Sequence, residues 1–363
     1  MLALQSIAEA LEAGDAEALD RAIAQAKAAG ALVAASDGSL RPTSLLEHTP
    51  SAARWRAAGF VPFHLKPWAH PAVQRETLGV LLSELALRPD LQSPPHWLSA
   101  QWLVGLYLPD AVNLAECLET GAPQERILAH CLASLERFTR HDGALQRAIH
   151  ARGLPAAQAF PLLSRYEAAC RVLLEQDELA ADETWEHLGP RPRDHTPSAL
   201  FCDPKPANFI TGRSNSVQLN DKQIFRIDLD LMTHTAPIAL QAIIAVFSFP
   251  SESPAEQGQQ KTFTSRLDRL ARWLGAQGLS LSEPVLRLLW YHLLRNYASA
   301  CVARDAPKRA AMASMLEQLI GLERLFDAAT PFRDRLRARL DGGLTMDDRH
   351  DRRYAAAPLQ AGS

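Results

Sequence analysis

The sequence has 363 residues, 47% of them hydrophobic and 22% charged, with a formal net charge of −3. This is the make-up of a soluble globular protein long enough for two domains, each with its own core, and it gives no reason to expect a nucleic-acid partner or an acidic membrane surface. Five cysteines (Cys117, Cys131, Cys170, Cys202 and Cys301) are scattered and form no Cys-x-x-Cys pair, which argues against a zinc site and against a secreted disulfide framework.

Residues 1–30 read as two alanine-rich helices. Leu4, Ile7, Ala8 and Leu11 recur at helical spacing, Gly14-Asp15 interrupts, and residues 16–29 resume the pattern until Gly30. The first five residues lack a basic segment followed by an apolar run, so no signal peptide is expected here, and a reducing cytoplasm is the expected location. The hairpin is expected as an N-terminal extension, residues 1–36, packed on the main body. From about residue 31 to 109 the texture changes. Short runs at 31–35, 43–46 and 60–66 look like strands, Asp37-Gly38 and Ala58-Gly59 look like turns, a helix is predicted over 71–86, and an apolar run at 97–108 follows Pro94-Pro95.

After Asp110 the pattern is mostly helical, with helices predicted over 111–120, 124–140, 143–152 and 160–177. Residues 185–198 are rich in proline, charge and histidine and read as loop. Short strands around 208–211 and 224–228 flank a polar turn at 212–221. Helices resume at 236 and continue to about 340. The longest apolar stretch, 236–249, contains Pro237 and Gln241 and is too short to span a bilayer. The basic cluster at 333–339 reads as a solvated face, and the polar tail, 341–363, is expected to be disordered.

The chemistry concentrates in Asp203-Pro204-Lys205-Pro206-Ala207-Asn208, followed by Ile227-Asp228-Leu229-Asp230. Two acids, an amide and a lysine stand in the order that a phosphoryl-transfer site uses. Asp203 is the candidate to orient an attacking hydroxyl and accept its proton. Lys205 can offset charge on the transferring group. Asn208 and Asp228 offer the oxygen ligands that Mg2+ requires, and Asp230 is a neighbouring acid or an alternative ligand. Taken singly these are a turn aspartate, a loop lysine and a strand-end acid. The combined spacing carries the signal.

The segment resembles the protein-kinase catalytic loop, His-Arg-Asp-Leu-Lys-Pro-Glu-Asn. It also resembles small-molecule kinases of the aminoglycoside phosphotransferase and choline kinase type, which carry His-Gly-Asp-x-x-x-x-Asn and then Ile-Asp-x-Asp/Glu. The resemblance implies an α+β, two-lobed protein kinase-like fold. Residues 37–110 would form a small β-rich lobe, and residues 111–340 a large helical lobe holding the catalytic loop at 201–230. It implies ATP or GTP and Mg2+ as cofactors and a small-molecule hydroxyl as acceptor; it does not choose among aminoglycosides, amino alcohols, sugars and peptide-derived metabolites, and the oligomeric state is not readable. It further implies that Lys66, in Phe63-His64-Leu65-Lys66-Pro67-Trp68, contacts the α- and β-phosphates and pairs with a helix glutamate, Glu76 being nearest and Glu84 second. With no Gly-x-Gly-x-x-Gly in the chain, the turn His48-Thr49-Pro50-Ser51-Ala52 becomes the candidate phosphate cover, with Ser51 as a contact. Backbone groups near Leu106 to Leu108 would meet the adenine.

Two departures stand out. Phe201 and Cys202 replace the histidine that braces the family's loop through hydrogen bonds, and Phe201 can brace only by packing. After Asp230 the chain passes almost at once into an apolar helix with no Ala-Pro-Glu element, which favours a small acceptor over a peptide. The departures keep a nucleotide-binding pseudokinase or regulatory module open as the alternative. On a late helix, Tyr291, His292 and Arg295 form a polar face that either packs between helices or lines a substrate pocket.

Overall fold

The computed structural model describes residues 2–34, 38–43, 61–68, 72–108, 110–175, 191–192, 196–248 and 259–322. The fold is α+β. Helices α1 (Leu2–Ala13) and α2 (Ala16–Ala28) form the expected hairpin. Gly14 takes the left-handed turn between them at φ 66°, and the Asp15 side chain caps α2 by accepting from the Glu17 and Ala18 N–H groups. Strands β1 (Leu32–Ala34), β2 (Leu40–Pro42), β3 (Val61–Pro67), β4 (His96–Leu98) and β5 (Trp102–Tyr107) make an antiparallel sheet in the order β1-β2-β3-β5-β4.

Strand alternation gives this sheet two different faces. Leu32, Leu40, Leu65 and Val104 join Leu4, Ile7, Leu11, Leu19 and Ile23 in one buried cluster, so the hairpin covers one face. Asp20 fastens it by accepting from Ser99 Oγ at 2.5 Å and from the Ala100 N–H at 3.1 Å. His64, Lys66 and Gly105 look the other way, into a cleft.

The rest of the chain is helix-rich. Helix α3 (Ala72–Ala86) sends Leu78, Leu81, Leu82 and Leu85 into the main core. Strand β6 (Ala111–Asn113) leads into α4 (Leu114–Glu119), capped by Asn113 accepting from the Glu116 N–H. Helix α5 (Gln124–Ala151) follows, then β7 (Gln158–Ala159), α6 (Leu162–Glu175) and β8 (Ser198–Leu200). Strands β9 (Phe209–Gly212), β10 (Phe225–Arg226) and β11 (His234–Pro237) precede α7 (Ile238–Phe247), α8 (Gln259–Ala276), α9 (Glu283–Val302) and α10 (Ala306–Ile320). Two small sheets, β10-β9-β6 and β7-β11-β8, hold the loops between them.

Helix α7 is buried from Ala239 through Phe247 and packs against α5, α8 and α9, as expected for a helix apolar on nearly every side. Trp290, Phe138 and Tyr166 fill the core around it. The five cysteines are buried and form no disulfide. Among the described residues no helix is long and apolar enough to cross a membrane.

Three expectations change. The predicted helices 124–140 and 143–152 are one 28-residue helix, because Leu135, Phe138, Leu145 and Ile149 keep a continuous buried stripe past Gly143. The predicted helix over 111–120 begins as a strand, since Ala111, Val112 and Asn113 pair with Gly212, Thr211 and Ile210. The helix expected from 236 begins at Ile238, since Ala236 and Pro237 pair with Ala199 and Ser198 in a strand. Residues 44–46 of the strand expected at 43–46 lie outside the described residues. Ser51, the turn at 58–59, the basic cluster at 333–339 and the tail at 341–363 lie outside the described residues.

Candidate active site

Strand β8 delivers the 201–208 loop, and buried side chains hold it from several sides. Asp142, in the middle of α5, accepts from the Leu200 N–H at 2.7 Å. The Phe201 N–H donates to His234 O at 2.8 Å, and the Phe201 ring meets Phe160 at 4.7 Å between centroids. At Cys202 the backbone is clasped on both of its polar groups. Its N–H donates to Gln241 Oε1 at 2.9 Å, and its carbonyl accepts from Arg226 Nη1 at 2.9 Å. Arg226 also donates to Ser134 Oγ at 2.6 Å and lies between the rings of Phe138 and Phe209. Hydrogen-bond bracing is therefore present despite the missing histidine. It comes from an amide on α7 and a guanidinium on β10, with Phe201 adding packing.

Asp203 follows in a left-handed conformation, φ 41°, and is 6% exposed. The chain then turns through Pro206–Asn208, a short 3-10 segment opened by proline. This turn brings Asn208 back onto the aspartate, its Nδ2 donating to Asp203 O and Oδ2, each at 3.0 Å. Lys205 Nζ donates to the same Oδ2 at 2.7 Å. One carboxylate oxygen of Asp203 is thus fixed by two donors, and Oδ1 carries neither bond.

The second acid segment is tied to the first by the Ile227 N–H donating to Asn208 O at 2.9 Å. Asp228 also has positive φ, 60°. A non-glycine residue in this region costs energy that the surrounding structure must offset, and such residues gather at functional sites. Lys66 arrives from β3, 162 residues earlier, and its Nζ lies 2.7 Å from Asp228 Oδ1 and 2.5 Å from Asp230 Oδ2. Burial pulls the lysine pKa down, but the two carboxylates outweigh it and hold the ammonium above its ordinary value.

These groups line a cleft of about 570 Å3 together with Leu103, Leu106, Leu108, Ile210 and Ile227. Its size and mixed lining suit a small-molecule ligand. On its floor Gly105 sits in register between His64 of β3 and His96 of β4. A Cβ at residue 105 would lie 3.0 Å from the His96 ring, so any other residue there would require the imidazole to give way by a few tenths of an ångström.

No family model matches the sequence, and no curated protein matches it. A solved structure of a choline/ethanolamine kinase family protein from Mesorhizobium loti is similar to the chain with a TM-score of 0.39 and 13% identity, over 82% of this chain and 93% of that one.

Lys66, Asn208, Asp228, Leu106 and Leu108 meet in the cleft, and Asp203 and Lys205 lie directly behind Asn208. The pairing of Lys66 with Glu76 is not made. Glu76 is on the exposed side of α3, where it lines a separate hollow of about 520 Å3 with Glu84, and Glu84 is itself bonded to Arg88 at 2.7 Å. The ammonium of Lys66 is taken by the two aspartates instead. Sequence reasoning also missed Arg226, Gln241 and Asp142 as braces. The available signal was a charge in an apolar strand and a lone amide in an apolar helix, each a polar group that burial would oblige to find a partner.

Among the described residues no cluster of three or more His, Cys, Asp or Glu side chains forms a ready metal cage. The donor set does fit Mg2+, which binds through one or two protein oxygens and completes its shell with phosphates and water. The amide nitrogen of Asn208 is spent on Asp203, which leaves its carbonyl oxygen for the cleft. Asp228 faces the same space, and Asp230 Oδ1 is buried without a hydrogen-bond partner.

Proposed function

We propose that this chain is a nucleoside-triphosphate-dependent phosphotransferase that moves the terminal phosphoryl group to a hydroxyl of a small molecule. The reading takes the β1–β5 sheet and the helix-rich remainder as the two jaws of a kinase-like fold. The observation that carries it is the convergence of Lys66, Asn208, Asp228 and Asp230 on one cleft, with Asp203 hydrogen-bonded to Asn208.

In this reading ATP or GTP occupies the cleft, with its base against Leu106 and Leu108 and its phosphates toward Lys66. Mg2+ held by Asn208 and Asp228 would neutralise phosphate charge. The acceptor oxygen attacks the terminal phosphorus, a new O–P bond forms, the bond to the β-phosphate oxygen breaks and nucleoside diphosphate leaves. The acceptor proton passes to the Asp203 carboxylate, whose orientation Asn208 and Lys205 fix. The ammonium of Lys205, 2.7 Å from that carboxylate, is close enough to offset charge on the transferring group.

The test is a thermal-shift titration with ATP, with and without Mg2+, followed by nucleoside diphosphate release over hours. Magnesium-dependent stabilisation and slow hydrolysis, both lost in Asp228→Ala and the hydrolysis lost in Asp203→Ala, support the reading. The absence of any magnesium-dependent nucleotide binding overturns it. Binding without turnover in the wild type selects the regulatory-module alternative.

A further inference from the structure

A second group of charges, none of which lines the cleft, stands near Asp203. Helix α6 packs against α9, and the rings of Tyr166 and Tyr291 lie 6.4 Å apart across that contact. Arg165, beside Tyr166 on α6, holds its guanidinium 4.5 Å over Phe160. Phe160 in turn packs on Phe201, two residues before Asp203. Arg295 lies one turn after Tyr291 on α9 and is exposed. Arg165 is near enough to feel Arg295, Tyr291 and Asp203.

Two features of this group call for a ligand. Burial, followed by the like charge of Arg295, depresses the Arg165 guanidinium, and among the described residues neither arginine has a carboxylate bonded to it. Asp203 offsets this only in part and is itself already bonded to Lys205 and Asn208; two cations kept together repel, and an anion relieves both. Independently, Tyr291 is 2% exposed, yet its hydroxyl is buried with no hydrogen-bond partner. A buried orphan donor costs free energy unless something meets it. This is the same helix face, Tyr291 to Arg295, whose sequence allowed either packing or a pocket.

We infer that the acceptor carries an anionic group, a carboxylate or a phosphate ester, which Arg165 and Arg295 hold with a hydrogen bond from the Tyr291 hydroxyl, while its own hydroxyl faces Asp203. This rests on the phosphotransferase reading. The transfer is balanced as above: the acceptor oxygen gains the phosphoryl group, nucleoside diphosphate departs, Asp203 receives the proton, and the anionic group is unchanged. The two arginines bind and orient. Their planar, multi-donor heads suit a carboxylate or phosphate fork.

The test uses the full chain and probes of matched size. Calorimetric titration with malonate and with inorganic phosphate measures anion binding directly, and glycerate, glycerol 3-phosphate, glycerol and 3-amino-1,2-propanediol are compared as acceptors. Saturable binding of malonate or phosphate is expected, weakened about tenfold or more in Arg165→Gln and in Arg295→Gln, the loss of one charge-assisted hydrogen bond. Tyr291→Phe weakens it less, and Arg171→Gln, an exposed arginine further along α6, leaves it unchanged. Glycerate preferred over glycerol 3-phosphate identifies the carboxylate, and the reverse preference the phosphate. The inference fails if neither anion binds, if both arginine variants bind as the wild type does, or if glycerol or the amine turns over fastest. Magnesium-dependent ATP binding in the wild type separates the two failures. Retained ATP binding with no anion binding sinks the acceptor assignment alone, whereas lost ATP binding sinks the phosphotransferase reading.

Discussion

Gln241→Leu tests whether α7 holds the 201–208 loop. Gln241 is fully buried in a helix whose neighbours are apolar. Its Oε1 accepts from the Cys202 N–H at 2.9 Å, and its Nε2 reaches Leu200 O at 3.2 Å and Ala199 O and Ala236 O at 3.4 Å. Leucine has nearly the same volume, so it neither opens a cavity nor overpacks. What it removes is the acceptor for a buried N–H, at about 1–3 kcal/mol, and a shared donor for carbonyls at longer range. Part of that is returned, because leucine has no amide to desolvate. A net loss of about 2 kcal/mol is expected, which at an m-value of about 3 kcal/mol/M lowers the urea midpoint by roughly 0.7 M. Tryptophan fluorescence through the urea transition measures it. Gln241→Leu combined with Arg226→Met should depart from additivity, since both residues clasp the polar groups of Cys202. An unchanged or raised midpoint in Gln241→Leu refutes the bracing role and leaves the loop to Phe201 packing and Arg226.

Lys66→Met leaves Asp228 and Asp230 facing each other without a cation, and nucleotide affinity measured with a fluorescent ATP analogue should fall by about tenfold or more, the effect of losing a charge-assisted contact; wild-type affinity would remove Lys66 from the phosphate site. Gly105→Ala forces a Cβ to within 3.0 Å of His96, an overpacking cost of about 1–3 kcal/mol. His96→Ala in the same chain should recover most of it, and strict additivity of the two in thermal unfolding would refute the contact. The pH dependence of stability follows from His292, which is 3% exposed and whose pKa burial, with Arg295 adding, pushes down to about 3. As pH falls the unfolded chain takes up this proton first, near 6.5, so the contribution of His292 is complete above that pH and is lost between about 6.5 and 3. Between pH 7.5 and 5 the loss is about 2 kcal/mol. Urea midpoints of wild type and His292→Gln at both pH values check it, and parallel slopes would show that His292 does not titrate in this way.

What the sequence made legible was local. Asp203 and Asn208 are five residues apart, and a single proline-led turn is enough to join them, so spacing alone places them together. The α1–α2 hairpin was legible from its apolar period and its Gly14-Asp15 break. The partner of Lys66 was not, because the choice between Glu76, ten residues along the chain, and Asp228, 162 residues away, is made by how the sheet lies on the later loops. Residues 141–142 fell between two predicted helices, whereas the Asp142 carboxylate is engaged by Leu200, and the buried stripe on either side carries the helix through. Gln241 and Arg226 were visible only as anomalies of composition. The partner they share is the backbone of Cys202, and no side-chain pattern marks a backbone group.

The hairpin and strand β5 also share one core, which sets an order of events during synthesis. Contacts within α1 and α2 are local, so the hairpin forms early, but Leu65 and Val104, which close over its apolar side, come later. At about 5–20 residues per second, the roughly 75 residues between Ala28 and Val104 keep that side open for about 4–15 s. Cleft assembly waits longer still, until Asp228 can reach Lys66. A nascent chain stalled between these points presents a greasy two-helix surface with nothing to cover it, the kind of surface that chaperones bind. Pausing sites between residues 30 and 104 should therefore govern the soluble yield of this protein more than any change in its 201–208 loop.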